Sequence, residues 1–202
     1  AGSVVGGNTS QTLVNVFDND TKNGTKLNPS DVKLTPGTDP KGYLTIDANG
    51  NAVLGANAPA GNYELTYEIC EVLNPGNCST NKVQVTVTAP AILAVKETLG
   101  PINGTIGGKT TSLIASDKLN NIQAVIGSNP GEVTLTGTAP AGLTVNTDGT
   151  VTVSAGVKAG SYDVEYTICD NNNPGTNCST AMSTVVVTAA DLVANLDSAG
   201  SV

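Results

Sequence analysis

The 202-residue chain contains no histidine, arginine or tryptophan, and a single phenylalanine. Without histidine it lacks the side chain that titrates near neutrality and the commonest transition-metal ligand. Without arginine it lacks the bidentate fork that clamps phosphate or carboxylate. Positive charge is scarce as well: nine lysines face seventeen acidic residues, a net charge of −8. So acidic a chain has no electrostatic footprint for nucleic acid or an anionic membrane surface, although it can recruit cations. Apolar runs never approach the ~18 residues of a membrane-spanning helix, so no membrane insertion is expected. The chain begins at Ala1 with neither an initiating methionine nor a signal peptide, and is read as part of a longer one.

Glycine, asparagine, threonine, valine and alanine fill the space left by these absences. Alternating apolar residues and frequent turn dipeptides describe short strands joined by tight turns. The chain also repeats itself. AGNYELTYEIC (60–70) is matched by AGSYDVEYTIC (159–169), and YLTIDANGNAV (43–53) by GLTVNTDGTVT (142–152). Cys70 to Cys169 is a step of 99 (169 − 70), and at that offset Asp18 maps to Asp117. A period of about a hundred residues is one β-sandwich domain. The expected fold is therefore all-β, with two tandem immunoglobulin-like antiparallel β-sandwiches, repeat 1 over 1–89 and repeat 2 over 90–188. Because AGSV occurs at both 1–4 and 199–202, residues 189–202 read as the opening strand of a following repeat, and repeat 1 as lacking its own. The segment 190–197 is thus expected to exchange onto repeat 1 of another molecule by strand addition.

All four cysteines sit in two matching phrases, YEICEVLNPGNCST (67–80) and YTICDNNNPGTNCST (166–180). Ahead of each first cysteine, Tyr63, Leu65, Tyr67 and Ile69, or Tyr162, Val164, Tyr166 and Ile168, alternate with polar residues. This period of two marks a half-buried strand with the cysteine on its outer face. NPG supplies a turn, and Val83, Val85 and Val87 begin the same alternation beyond it. Local disulfides Cys70–Cys78 and Cys169–Cys178 fit this geometry, each closing a loop of about nine residues worth roughly 2–3 kcal/mol in the chain-entropy model. A redox motif would be tighter, and a metal site would need further Cys or His ligands. Two disulfides imply an oxidising, extracytoplasmic compartment. Tyr63 and Tyr162, each following Gly-x after a turn, are expected to form tyrosine corners that tie the chain to nearby backbone.

Asp18, Asn19 and Asp20 form the best metal candidate, since two carboxylates and an amide on a turn are hard oxygen donors suited to Ca²⁺. The spacing departs from an EF-hand loop, with Lys22 at the fifth position. No other cofactor is expected. Glu71 and Asp170, each just after a first cysteine, read as solvated loop charges. Carboxylates are scattered differently in the two repeats, which gives no support to paired acid–base catalysis, and the chain is read as a non-enzyme.

The strand AG-x-Y-x-x-x-Y-x-I-C, the NPGNC and NPGTNC loops and the stretch VNVFDNDTKNG (14–24) together resemble the tandem repeats of very large Bacteroidota surface adhesins of the gliding-motility type. The resemblance covers both repeats, although IASDKLNN (114–121) departs by placing Lys118 and Leu119 where repeat 1 has Asn19 and Asp20. It implies an exported, extracellular cell-surface filament, of which these repeats are a non-catalytic stalk. The expected partners are neighbouring repeats of the same chain and, through other parts of the protein, an external surface or polysaccharide. The alternative is a Ca²⁺-dependent carbohydrate-binding module. Asp197-Ser198-Ala199 also resembles the short O-glycosylation signal of that phylum, making Ser198 a candidate acceptor.

Overall fold

The computed structural model describes residues 2–197, in which regular structure is almost entirely β. Among these residues no helix is long and apolar enough to cross a membrane.

Repeat 1 contributes β1 (Gly2–Val5), β2 (Gln11–Asn15), β3 (Thr21–Lys22), β4 (Thr25–Lys26), β5 (Val32–Pro36), β6 (Leu44–Ile46), β7 (Asn51–Leu54), β8 (Gly61–Glu71) and β9 (Cys78–Thr88). These form a four-stranded sheet in the order β1-β9-β8-β5, a three-stranded sheet β2-β7-β6 and a β3-β4 hairpin. The alternation expected in β8 is what packs the two larger sheets together. Tyr63, Leu65 and Tyr67 are buried, while Asn62, Glu64 and Thr66 between them are exposed. With Val83, Val85 and Val87 of β9 they meet Leu44, Ala52 and Leu54 of the opposing sheet in one buried cluster. Each such Leu or Val, fully buried, contributes on the order of 1.5–3 kcal/mol.

Repeat 2 contributes β10 (Ile92–Leu93), β11 (Thr98–Asn103), β12 (Gly108–Ser112), β13 (Lys118–Leu119), β14 (Ile122–Gln123), β15 (Val133–Thr138), β16 (Leu143–Val145), β17 (Thr150–Val153), β18 (Gly160–Asp170) and β19 (Cys178–Thr188). Its sheets β11-β19-β18-β15 and β12-β17-β16 enclose a second, separate cluster that includes Leu113, Val151, Val164, Tyr166, Ile168 and Val185.

Two expectations are corrected by this arrangement. First, the sheets are not purely antiparallel: β1 runs parallel to β9, and β11 parallel to β19. Gly6 and Gly104, just past these strands, each donate a backbone bond to the carbonyl of Thr88 and Thr188 respectively. Repeat 1 therefore has its parallel edge strand. Among the described residues it has no counterpart of β10 and of residues 94–97, which in repeat 2 turn the small hairpin into a three-stranded sheet β10-β13-β14.

Second, the residue equivalent to Asp117 is Asp20 and not Asp18. Thr21 pairs with Lys26 as Lys118 pairs with Gln123. The Asp20 and Asp117 carbonyls accept from Leu27 and Ala124. The offset is 97 (117 − 20) from β2 through the small hairpin and becomes 99 only from β6 onward, because the stretch from Ala124 to Leu143 is two residues longer than that from Leu27 to Leu44. Lys118 and Leu119 thus stand opposite Thr21 and Lys22. Residues 189–197 pair with no other strand among the described residues, and residues 198–202, with Ser198, lie outside the described residues.

Candidate functional site

Each cysteine pair occupies the last rung of a long hairpin. In the β8–β9 ladder Cys70 lies directly opposite Cys78, and in the β18–β19 ladder Cys169 lies opposite Cys178. Both pairs are disulfide-bonded, with Cα atoms 4.1 Å apart, and no described cysteine is free. Among the described residues, Glu68, Cys70 and Cys78 form the one set of three donors close enough to share an ion. Their sulfurs are bonded to each other, so neither is available as the thiolate a metal requires. The two bridges belong to a chain that folds outside the reducing cytosol.

The acids that follow the first cysteines are not solvated. Glu71, with a side chain 14% exposed, lies 2.8 Å from Lys22 Nζ. It accepts from the side-chain amides of Asn74 and Asn77. The bonds from Lys22, Asn74 and Asn77 hold its carboxyl down at about 2. Asp170 is completely buried. Its Oδ2 accepts from the Nδ2 groups of Asn173 and Asn177, and its Oδ1 from the Asn172 backbone. In each repeat a carboxylate gathers the amides of its own loop, and in repeat 2 this lets Asp170 and Asn173 be buried. Asn173 and Asn177 also reach beyond the loop. Asn173 Oδ1 accepts from the Ala60 backbone of repeat 1 at 2.7 Å, and Asn177 Nδ2 donates to the Pro90 carbonyl at 2.9 Å.

The sign of the Glu71 effect follows from its depressed value. Its contribution to stability is present above the unfolded value near 4.5 and is lost as pH falls toward about 2. Melting temperatures of wild type and Glu71→Gln, followed from pH 6 to about 2, should converge on acidification. Parallel curves would contradict the pairing with Lys22.

Both tyrosine corners form. Tyr63 Oη donates to the Pro59 carbonyl at 2.7 Å and Tyr162 Oη to the Lys158 carbonyl at 2.8 Å, each four residues upstream. Tyr63 is buried and receives the edge of Tyr43 and the Lys41 ammonium over its ring.

Asp18, Asn19 and Asp20 do not converge on one point. Asp18 is exposed and turns to Lys26 Nζ, 3.5 Å away. Asp20 is half-buried, and its two oxygens lie 3.3 Å from the Tyr67 hydroxyl. Desolvation is the larger effect on Asp20 and raises its carboxyl above the ordinary value. Asp18 and Asn19 instead line the mouth of an open groove of about 570 Å³, floored by Tyr67, Val83 and Val85 and walled by Val14.

In repeat 2 this place is filled. Residues 92–97 cross it, and Asp117 is fully buried beneath them. Asp117 Oδ1 accepts from the Val95 backbone at 2.7 Å, and the Tyr166 hydroxyl lies 2.8 Å from both Asp117 Oδ1 and the Val95 carbonyl. Burial drives both the Asp117 carboxyl and the Tyr166 phenol up. One signal in the sequence pointed to the buried acids: in both repeats an Asn stands three residues after the acid and another immediately before the second cysteine.

No family model and no curated protein matches the chain. Among solved structures it is similar to Drosophila N-cadherin EC1-3, at 14% identity and a TM-score of 0.36, covering 93% of this chain. It is also similar to an endo-fucoidan hydrolase from glycoside hydrolase family 107, at 15% identity and a TM-score of 0.34, covering 94% of this chain. The chain spans 64% of the cadherin structure and 28% of the hydrolase. At such TM-scores neither alignment carries an argument about function.

Proposed function

We propose that the chain is a non-catalytic, load-bearing spacer: stalk repeats of an exported surface adhesin that hold a distal binding region away from the cell. The observation that carries this reading is the parallel pairing, in each repeat, of an early strand with the last one, β1 with β9 and β11 with β19. Tension applied along the chain pulls the start of the first strand and the end of the last in opposite directions. Parallel neighbours then slide past each other, and their hydrogen bonds are loaded together in shear instead of being opened one at a time. The disulfides lock the loop end of the central hairpin of each repeat against extension. The joint between repeats is pinned as well, by Asn177 on Pro90, by Asn173 on Ala60 and by the Asn120 backbone donating to the Ala91 carbonyl.

A spacer has no ligand of its own. Glycan arrays probed with and without millimolar Ca²⁺ should show no saturable binding by this chain. Specific, Ca²⁺-dependent retention of one glycan class would replace the spacer with a carbohydrate-binding module. Repeating the array after Asp18→Asn and Asp20→Asn would then show whether those carboxylates hold the ion.

A further inference from the structure

The groove in repeat 1 and the segment that fills its counterpart in repeat 2 define a docking surface with a specific occupant. In repeat 2, Ile92 and Leu93 pair with Leu119 and Lys118. The Ala94 backbone N–H donates to Ser179 Oγ at 2.9 Å, and the Val95 N–H to Asp117 Oδ1. The Val95 carbonyl lies against the Tyr166 hydroxyl. The Glu97 N–H donates to Ser183 Oγ, and its carbonyl accepts from the Thr184 N–H, both at 2.9 Å. The segment is a strand held through its own backbone, so a different sequence can make the same bonds.

Repeat 1 presents all but one of these receptors, with nothing on them among the described residues. Lys22 and Ser79 line a cavity of about 200 Å³ beside the hairpin, and Tyr67, Val83 and Gln84 line the 570 Å³ groove that continues the path. Asp20 sits against Tyr67 as Asp117 sits against Tyr166. One receptor differs: Val83 replaces Ser183, so the bond to the residue-97 N–H is not reproduced.

The occupant is written behind β19. Residues 88–97 read TAPAILAVKE and residues 188–197 read TAADLVANLD. Both follow the last strand of a repeat at the same distance. The first runs into the groove of the repeat that comes next. The second lies open, with Leu192 and Leu196 each 95% exposed and Val193 80% exposed. We infer that residues 191–197 of one molecule enter the repeat 1 groove of a second copy, with Leu192 and Val193 beside Lys22 and Thr21. Ala194 then faces Ser79, and Asn195 lies between Asp20 and Tyr67. The contact is head-to-tail and heterologous, so it propagates into an open chain of copies instead of closing on itself. It stands on the groove and the tail alone, whether or not the repeats bear load.

Sedimentation of the full chain tests it, from about 10 μM to about 1 mM, the span of weak specific association. Wild type should show a weight-average mass that at least doubles across the series. Ala194→Pro removes the N–H offered to Ser79 at an exposed position outside any strand, where the fold is not at stake, and should keep the chain monomeric throughout. A peptide of residues 189–197 added to wild type should reverse the association, and a scrambled peptide should not. A wild-type chain that stays monomeric at the highest concentration, or association that survives Ala194→Pro, overturns the inference.

Discussion

Removing the Cys169–Cys178 bridge, by Cys169→Ala with Cys178→Ala, lowers the melting temperature of repeat 2 by roughly 10–20 °C. The figure comes from the unfolded chain. The bridge joins residues nine apart in sequence, and in the chain-entropy model so short a loop restricts the unfolded ensemble by about 2–3 kcal/mol. In the folded state little else changes, because Cys169 and Cys178 are already held opposite each other by the ladder and by the Asp170–Asn177 bonds. The same substitutions at Cys70 and Cys78, eight apart, should cost repeat 1 a similar amount. Calorimetry of wild type and the two paired variants checks both values. A change below about 0.5 kcal/mol, the usual range of a surface substitution, would contradict the assignment of the bridges as structural.

Tyr166→Phe destabilises repeat 2 by about 1–3 kcal/mol, while Tyr67→Phe costs repeat 1 less than about 1 kcal/mol. The two tyrosines occupy equivalent places in β18 and β8, so the difference isolates the segment that covers one of them. The Tyr166 hydroxyl stands between the Val95 carbonyl and a fully buried carboxylate. A hydroxyl carries one proton and donates to one of the two at a time. Deleting the hydroxyl takes a donor from the buried Val95 carbonyl and leaves Asp117 Oδ1 with the Val95 N–H alone, where water cannot replace it. Asp20 in repeat 1 is half-buried at the edge of the groove, and water reaches it once Tyr67 is truncated. Asp117 also acts on pH in the sense opposite to Glu71. Its contribution is present below the unfolded value near 3.8 and is lost as pH rises through the higher folded value. Asp117→Asn removes that loss, so its melting temperature relative to wild type should climb as pH rises above about 4. Equal costs for the two tyrosine variants, measured by denaturant unfolding, would show that the covering segment does not seal the site.

Local pattern carried the central hairpins. The alternation from Tyr63 to Tyr67 and from Val83 to Val87, with the two cysteine phrases, specified which face is inside and where the bridges fall. The tyrosine corners followed from Gly-x-Tyr. The parallel β1–β9 pair was not legible, because residues 2–5 and 85–88 are far apart in sequence and a largely exposed edge strand has no alternation to announce it. The Asp20–Asp117 equivalence was hidden because the stretch between the small hairpin and β16 in repeat 2 is two residues longer than its counterpart, so the offset of 99 at the cysteines is 97 (117 − 20) at these acids. Asp170 was misjudged because a loop acid is ordinarily solvated. Its burial depends on amides three and seven residues away that fold back onto it.

The claim that these repeats bear load rests on the direction of β1 and β11, and single-molecule pulling on the oxidised chain tests it directly. Pulled from its two ends, the chain should unfold in two discrete steps. Each should need a higher force than when the same repeat is pulled across its β8–β9 or β18–β19 hairpin, which unzips. Reduction should lengthen each step by about 25–30 Å as the bridged loop is released. Gradual extension from the ends, or equal forces in the two pulling geometries, would contradict the load-bearing account.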